Sequence, residues 1–349
     1  MECLETLKSI NVKALSVAYA GSLIALVRKG NELSLEAFSD DLLDSSELAT
    51  FRGERGHILF ADGEKILLSI DSNLILFQNK ICKTTLKVNR SGSVFWHAAE
   101  FHGEFLVQEY NEGLGSSSIY SSKDLLNWRK VVCSLDIDKH SLHFHDIKYD
   151  CYRDQLIATL GDRNYVRAVS TRDLQNWQIL YGGPWQFLSI VPLEEAIVFG
   201  MDSGIARGGV GIYQPSKNSW KFIFLRWRDR NVRLAQISDL DRINSRLWVA
   251  TLGTPQAIVV SKDLANWCLV HLDGLEKAFA RYLQVYKEND QVVFCTGKNL
   301  LVFETAELEK ITCDQPMLVS CKAHLEQFEG ALSVLKRKFR KSVLGVPMY

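Results

Sequence analysis

The chain has 349 residues, 47% of them hydrophobic and 23% charged, and its 41 Lys and Arg balance its 41 Asp and Glu. That composition is ordinary for a folded globular protein and excludes collagen, coiled coil and an intrinsically disordered chain. A net charge of zero speaks against a general nucleic-acid binder, which carries a basic excess.

The first apolar run, Ala14 to Val27, is shorter than the roughly 20 residues that span a bilayer. It follows Glu2 and Glu5 beside Lys8 and Lys13, without the basic segment that opens a secretory signal. Residues 15–26 align without gaps to 57–68, so the run reads as the first strand pair of a repeat. A cytoplasmic location is the expectation. Cys3, Cys82, Cys133, Cys151, Cys268, Cys295, Cys313 and Cys321 form no Cys-x-x-Cys pair, which fits reduced, buried thiols.

Further along, three segments are plainly related: Ser121-Ser-Lys-Asp-Leu-Leu-Asn-Trp128, Ser170-Thr-Arg-Asp-Leu-Gln-Asn-Trp177 and Ser261-Lys-Asp-Leu-Ala-Asn-Trp267. Pro215-Ser-Lys-Asn-Ser-Trp220 is a degenerate fourth copy, and the four Trp stand 49, 43 and 47 residues apart. Before each copy lies the same layout of strand, turn, strand, polar loop and strand. One example is His145–Asp150, Gln155–Leu160 and Val166–Ser170. Taking each first strand in turn, Leu15, His57, His97, His145, Leu188, Ala235 and Tyr282 fall at equivalent places, with a step of about 44 residues. Units of four short strands at that period predict an all-β, seven-bladed β-propeller over residues 1–317. Six or eight blades stay open, because the first two units lack the Trp motif. A sandwich does not repeat this way, and a TIM barrel would need a helix after each strand.

From residue 318 to 349 the pattern changes to a tail, with an amphipathic C-terminal helix predicted over 323–341. It ends in Lys336-Arg-Lys-Phe-Arg-Lys341. Two readings stand: a helix packed beside the propeller with a solvated basic face, or one that meets anionic lipid or an acidic partner at the membrane surface.

In the repeated motif the Asp and Ser can accept backbone N–H groups in a tight turn, and the Trp can bury its ring between blades. The motif resembles the Ser-x-Asp-Leu-x-x-Trp strings of furanosidase-type glycosidases and the Asp-box of sialidase-like propellers. That resemblance implies a propeller and, more weakly, carbohydrate chemistry. The usual Gly and Thr of the Asp-box are missing. Neither the three furanosidase carboxylates nor a sialidase Phe-Arg-Ile-Pro opening is found, so neither catalytic apparatus transfers.

First strands line a propeller's channel, so their polar residues are the candidates for a site. His145 is the candidate base or ligand, with His97 beside it in the catalytic set and Asp146 or Tyr282 as proton partner. His57 and His143 stand beside them, and strand alternation puts His143 and His145 on one face. Arg163, Arg167, Arg207 and Arg281 are candidate clamps for a substrate carboxylate, with Gln236 and Glu100 as further polar contacts. This inventory fits binding of an acidic carbohydrate or a glycan precursor at the channel mouth. Cleavage by a glycosidase or a lyase, a divalent metal held by His97, His143 and His145, and packing of satisfied histidines all remain open. The rival class is a non-catalytic scaffold for protein interaction. It predicts channel histidines that are buried and bonded to one another, and an exposed apolar patch on one face.

Overall fold

The computed structural model describes residues 8–90, 92–111, 116–161, 166–202, 208–228, 236–253, 256–274, 282–286, 290–296, 298–311 and 316–320. It is built of short antiparallel strands in chain order. The first is β1 (Lys8–Ile10). Meanders follow as β2 (Ala14–Tyr19), β3 (Leu23–Lys29), β4 (Glu32–Phe38) and β5 (Ser45–Arg52), and then β6 (Gly56–Asp62), β7 (Lys65–Ile70), β8 (Asn73–Gln78) and β9 (Ile81–Lys87). Next come β10 (Ser93–Phe101), β11 (Glu104–Asn111), β12 (Ser118–Ser122) and β13 (Arg129–Cys133), and, after the short helix α1 (Ser134–Ile137), β14 (His143–Asp150), β15 (Gln155–Gly161), β16 (Val166–Thr171) and β17 (Gln178–Gly183). The chain continues through β18 (Phe187–Pro192), β19 (Ile197–Met201), β20 (Gly209–Gln214) and β21 (Ser219–Trp227), and then β22 (Ile237–Arg242), β23 (Trp248–Gly253), β24 (Gln256–Ser261) and β25 (Asn266–Gly274). It ends with β26 (Tyr282–Tyr286), β27 (Gln291–Cys295), β28 (Leu300–Glu304), the helix α2 (Thr305–Glu309) and β29 (Leu318–Ser320).

The chain divides into two compact units, residues 1–132 with 278–309, and residues 133–277 with 310–349. In the first unit, four separate four-stranded sheets form, β2 to β5, β6 to β9, β10 to β13, and β1 with β28, β27 and β26. Innermost strands are neighbours there, β2 with β6 and β26, and β6 with β10. Each middle strand is therefore covered on both faces. That is why Leu23 to Val27 and Ile66 to Ile70 are runs of buried residues rather than alternating ones. Residues such as Leu26, Leu35 and Leu68 are sealed between neighbouring sheets. Each such side chain contributes about 1.5–3 kcal/mol of transfer free energy.

In the second unit, β14 to β17 form a fifth four-stranded sheet. The meanders β18 to β21 and β22 to β25 do not stand apart. β29 pairs with Leu225–Trp227 on one side and with Asn266 and Trp267 on the other, giving one nine-stranded sheet. The expectation of seven separate blades is corrected accordingly, because the returning chain fills the gap between two outer edges. The start of the expected tail, Leu318–Ser320, is this strand. The C-terminal amphipathic helix with its basic end lies outside the described residues. Among the described residues no helix is long and apolar enough to cross a membrane.

The cysteines differ from expectation at two points, and the first is that Cys82 and Cys151 are exposed rather than buried. Cys82, Cys133, Cys151 and Cys295 are free thiols, but Cys268 is disulfide-bonded. Burial pushes the Cys295 thiol far above its ordinary range, so it is unreactive.

Candidate functional site

The repeated hairpins are turns closed by their own side chains. Asp124 accepts N–H bonds from Leu126 (2.9 Å) and Asn127 (2.8 Å), and the Asn127 amide donates to its other oxygen at 2.7 Å. Asp173 and Asp263 repeat these bonds with Gln175 and Asn176, and with Ala265 and Asn266. Backbone and side-chain bonds from Asn127 and Asn176 hold Asp124 and Asp173 well below the usual carboxylate range. Leu125, Leu174 and Leu264 each take φ of 62°, the left-handed region that an L residue adopts only when its surroundings impose it. The Asn of the motif, read as a spacer in sequence, is part of the turn. The three Asp are therefore occupied by the fold and not offered to a ligand.

The innermost strands carry the polar residues of interest, and their register decides which are equivalent. Except for β26, each holds a bulge, at Leu15, Leu59, Trp96, His145, Leu188 and Ser238. A bulge sets two residues opposite one and re-aims the side chains around it. Counted from the bulge, His145 occupies it, His97 follows it by one, and His57 precedes it by two. The expected equivalence of His57, His97 and His145 is thus corrected: a gap-free alignment does not see the extra residue. The true counterpart of His57 is His143, with Gln186 just before β18 and Gln236 just before β22 at the same place.

In the first unit, the bulge residue Trp96 lies between two imidazoles. Its ring is stacked with His57 at 6.0 Å and 22°, and with His97 at 6.0 Å and 5°, while Tyr110 meets it edge-on at 4.4 Å. Burial, and after it the nearby charges of His97 and Arg55, push the His57 pKa down to about 3. The His57 ring is neutral at neutral pH, and its Nδ1 is shut from solvent without a hydrogen-bond partner. One strand away, the buried Glu109 carboxylate accepts from Ser93 Oγ (2.6 Å) and the Ser118 N–H (3.2 Å), and Asn111 donates to Ser93 Oγ at 2.8 Å. This network was not anticipated. The sign of it in sequence is Gln108-Glu-Tyr-Asn111, polar groups that close the strand after the apolar Phe105-Leu-Val107. Glu100 is exposed at the far end of β10, three residues from His97 and so on the opposite face.

In the second unit, His143 and His145 are 1% and 2% exposed, and their Nε2 atoms lie 3.1 Å apart, one donating and one accepting. The pair lies across Gly161, where a Cβ would strike the His145 ring. Arg167 is not a free clamp. Its Nε is 3.2 Å from Asp138, which also accepts from Ser141 Oγ at 3.0 Å. Asp146 is buried and pairs across the strand with Thr159. The Gln236 carbonyl accepts the Gly253 N–H. Tyr282 opens β26 opposite Cys295, but its side chain, and Arg163, Arg207 and Arg281 entirely, lie outside the described residues. Among the described residues no three His, Cys, Asp or Glu side chains are grouped to hold a metal ion.

No protein-family model matches the chain, and no curated protein matches its sequence. Solved structures do match it in shape. A chain of the mitotic checkpoint complex aligns at a TM-score of 0.60 and 10% identity, over 86% of this chain and 94% of that one. An oligogalacturonate lyase in complex with manganese aligns at 0.53 and 11%, over 90% and 98%. The WD40 β-propeller domain of Doa1 aligns at 0.56 and 9%, over 87% and 97%. At such identities the likeness defines the fold alone: the protein is an all-β β-propeller.

Proposed function

We propose that this propeller is a non-catalytic scaffold that holds partner proteins. The observation that carries the reading is the state of the histidines and the arginine that chemistry would need. His143 and His145 are sealed and bonded to each other, and Arg167 is neutralised by Asp138. A general base has to reach substrate, and a clamp has to bring an unspent charge to it. The fold likeness to a mitotic checkpoint subunit and a WD40 domain is in keeping with this role.

The test is the protein's size in native extract together with its response to glycans. Expected are elution in a stoichiometric complex, survival of that complex in His145→Gln, and neither turnover nor thermal stabilisation with oligogalacturonate or sialylated oligosaccharides. Turnover lost in His145→Gln, or elution as a bare monomer, overturns the reading.

One observation favours binding of an acidic carbohydrate as a second reading. Trp96 with His57, His97 and Arg55 gathers an aromatic ring and a cation in the first unit, and both groups recognise acidic sugars. Saturable quenching of Trp fluorescence by oligogalacturonate, lost in Trp96→Ala, is the result expected for it. An unmoved spectrum rules it out.

A further inference from the structure

Within the second unit the hairpin motif occurs twice, over Thr171–Trp177 and Ser261–Trp267, with the same internal hydrogen bonds. The two copies differ in what lies against them. At the later copy β29 runs along the strand, with Asn266 opposite Val319 and Trp267 opposite Leu318, and the Met317 N–H donates to the Trp267 carbonyl at 2.9 Å. Under this cover Trp267 and Leu318 are both 0% exposed, Leu264 is buried, and Trp267 Nε1 donates to the Leu264 carbonyl at 3.0 Å.

At the earlier copy, no strand among the described residues pairs with Asn176 or Trp177, and β17 begins only at Gln178. Leu174 and Trp177 are half-buried, and Trp177 Nε1 is left without an acceptor. A groove opens beside them, lined among others by Gln155, Thr171, Arg172, Asn176, Trp177 and Gln178. Ile179, the next residue along the strand, is 54% exposed. The earlier hairpin therefore has the shape of the later one with its covering strand taken away.

We infer that the groove at Trp177 receives an extended segment of a partner protein, which pairs with the Asn176–Trp177 backbone as β29 pairs with Asn266–Trp267. The chain itself supplies the pattern of the occupant. Met317-Leu318-Val319-Ser320 is uncharged and places a branched aliphatic side chain against the indole. Strand addition of this kind draws affinity from main-chain hydrogen bonds and specificity from alternate side chains. The inference rests on the scaffold reading and names where that scaffold takes its partner.

The experiment uses the full chain and a synthetic Gln-Pro-Met-Leu-Val-Ser peptide carrying a photoreactive leucine. Expected are saturable binding, cross-links within residues 171–179, and affinity lower by about tenfold in Trp177→Ala, the loss expected on truncating an aromatic anchor. Trp177→Phe, which keeps the ring but not the N–H, folds more readily and is expected to lose several-fold. Absent binding, cross-links confined to residues 264–268, affinity unmoved in both variants, or a homodimer linked through residues 316–320 would each overturn the inference. A peptide that binds this groove while native extract yields only monomer sinks the scaffold reading and leaves the groove. A complex in extract with no peptide binding does the reverse.

Discussion

His57 carries an acid-sensitive share of the stability of the first unit. Its folded pKa is about 3, against about 6.5 in an unfolded chain. The unfolded state therefore takes up a proton that the folded state refuses. Stability from this residue is complete above about pH 6.5 and is lost as pH falls toward 3. At pH 5 the loss is about 2 kcal/mol. Urea midpoints of wild type and His57→Gln are expected to converge between pH 7 and 5, and parallel slopes would refute the account. Gly161 offers a second test at this scale. Gly161→Ala forces the His145 ring aside and is expected to cost about 1–3 kcal/mol by overpacking, read from chemical unfolding. Both histidine clusters were legible in the sequence as polar residues on first strands. Their grouping was not. A bulge adds a residue without changing composition, so the alignment joined His57 to His145 when its register partner is His143. Trp96 escaped notice because one aromatic residue in a strand looks like core.

The hairpins show how an element is fixed by a few charged groups. The Asp124 and Asp173 carboxylates are held below their unfolded range by N–H donors. Their stabilisation is present above about pH 4, the unfolded value, and disappears as pH falls through the folded one. The double variant Asp124→Asn, Asp173→Asn is expected to lower stability at pH 7 and to flatten the acid limb of the stability profile, measured by thermal unfolding across pH. Burial ranks the Trp of the motif. Trp267→Ala is expected to cost about 3–5 kcal/mol as a fully buried aromatic, and the half-buried Trp177 clearly less, compared by urea denaturation. The repeat period, the four-strand layout and the Asp of each turn could all be read from the sequence, because each rests on local chemistry. β29 could not. Three residues, Leu318-Val-Ser320, carry no periodicity, and only the two outer edges they fill make them a strand.

At the scale of the whole molecule, the first unit is assembled from two stretches far apart in sequence, residues 1–132 and 278–309. Lys8, Ser9 and Ile10 pair with Val302, Leu301 and Leu300. Deleting residues 1–10 is expected to speed amide hydrogen exchange in β28 while leaving β14 to β17 in the second unit unchanged, measured by mass spectrometry. Uniform exchange before and after deletion would show that β1 adds nothing. The sequence forecast the repeated units from their mean spacing. It did not forecast this pairing, since three residues at the start of a chain hold no record of a partner near residue 300.

The same pairing sets a schedule for synthesis. Ile10 and Leu300 are partners, so the first strand leaves the ribosome long before its mate exists. At about 5–20 residues per second the wait is roughly 15–60 s. Throughout it β1 stands without its sheet and has bare N–H and C=O groups, the kind of template on which nascent chains join one another. The cell has to shelter that strand until β28 has been made.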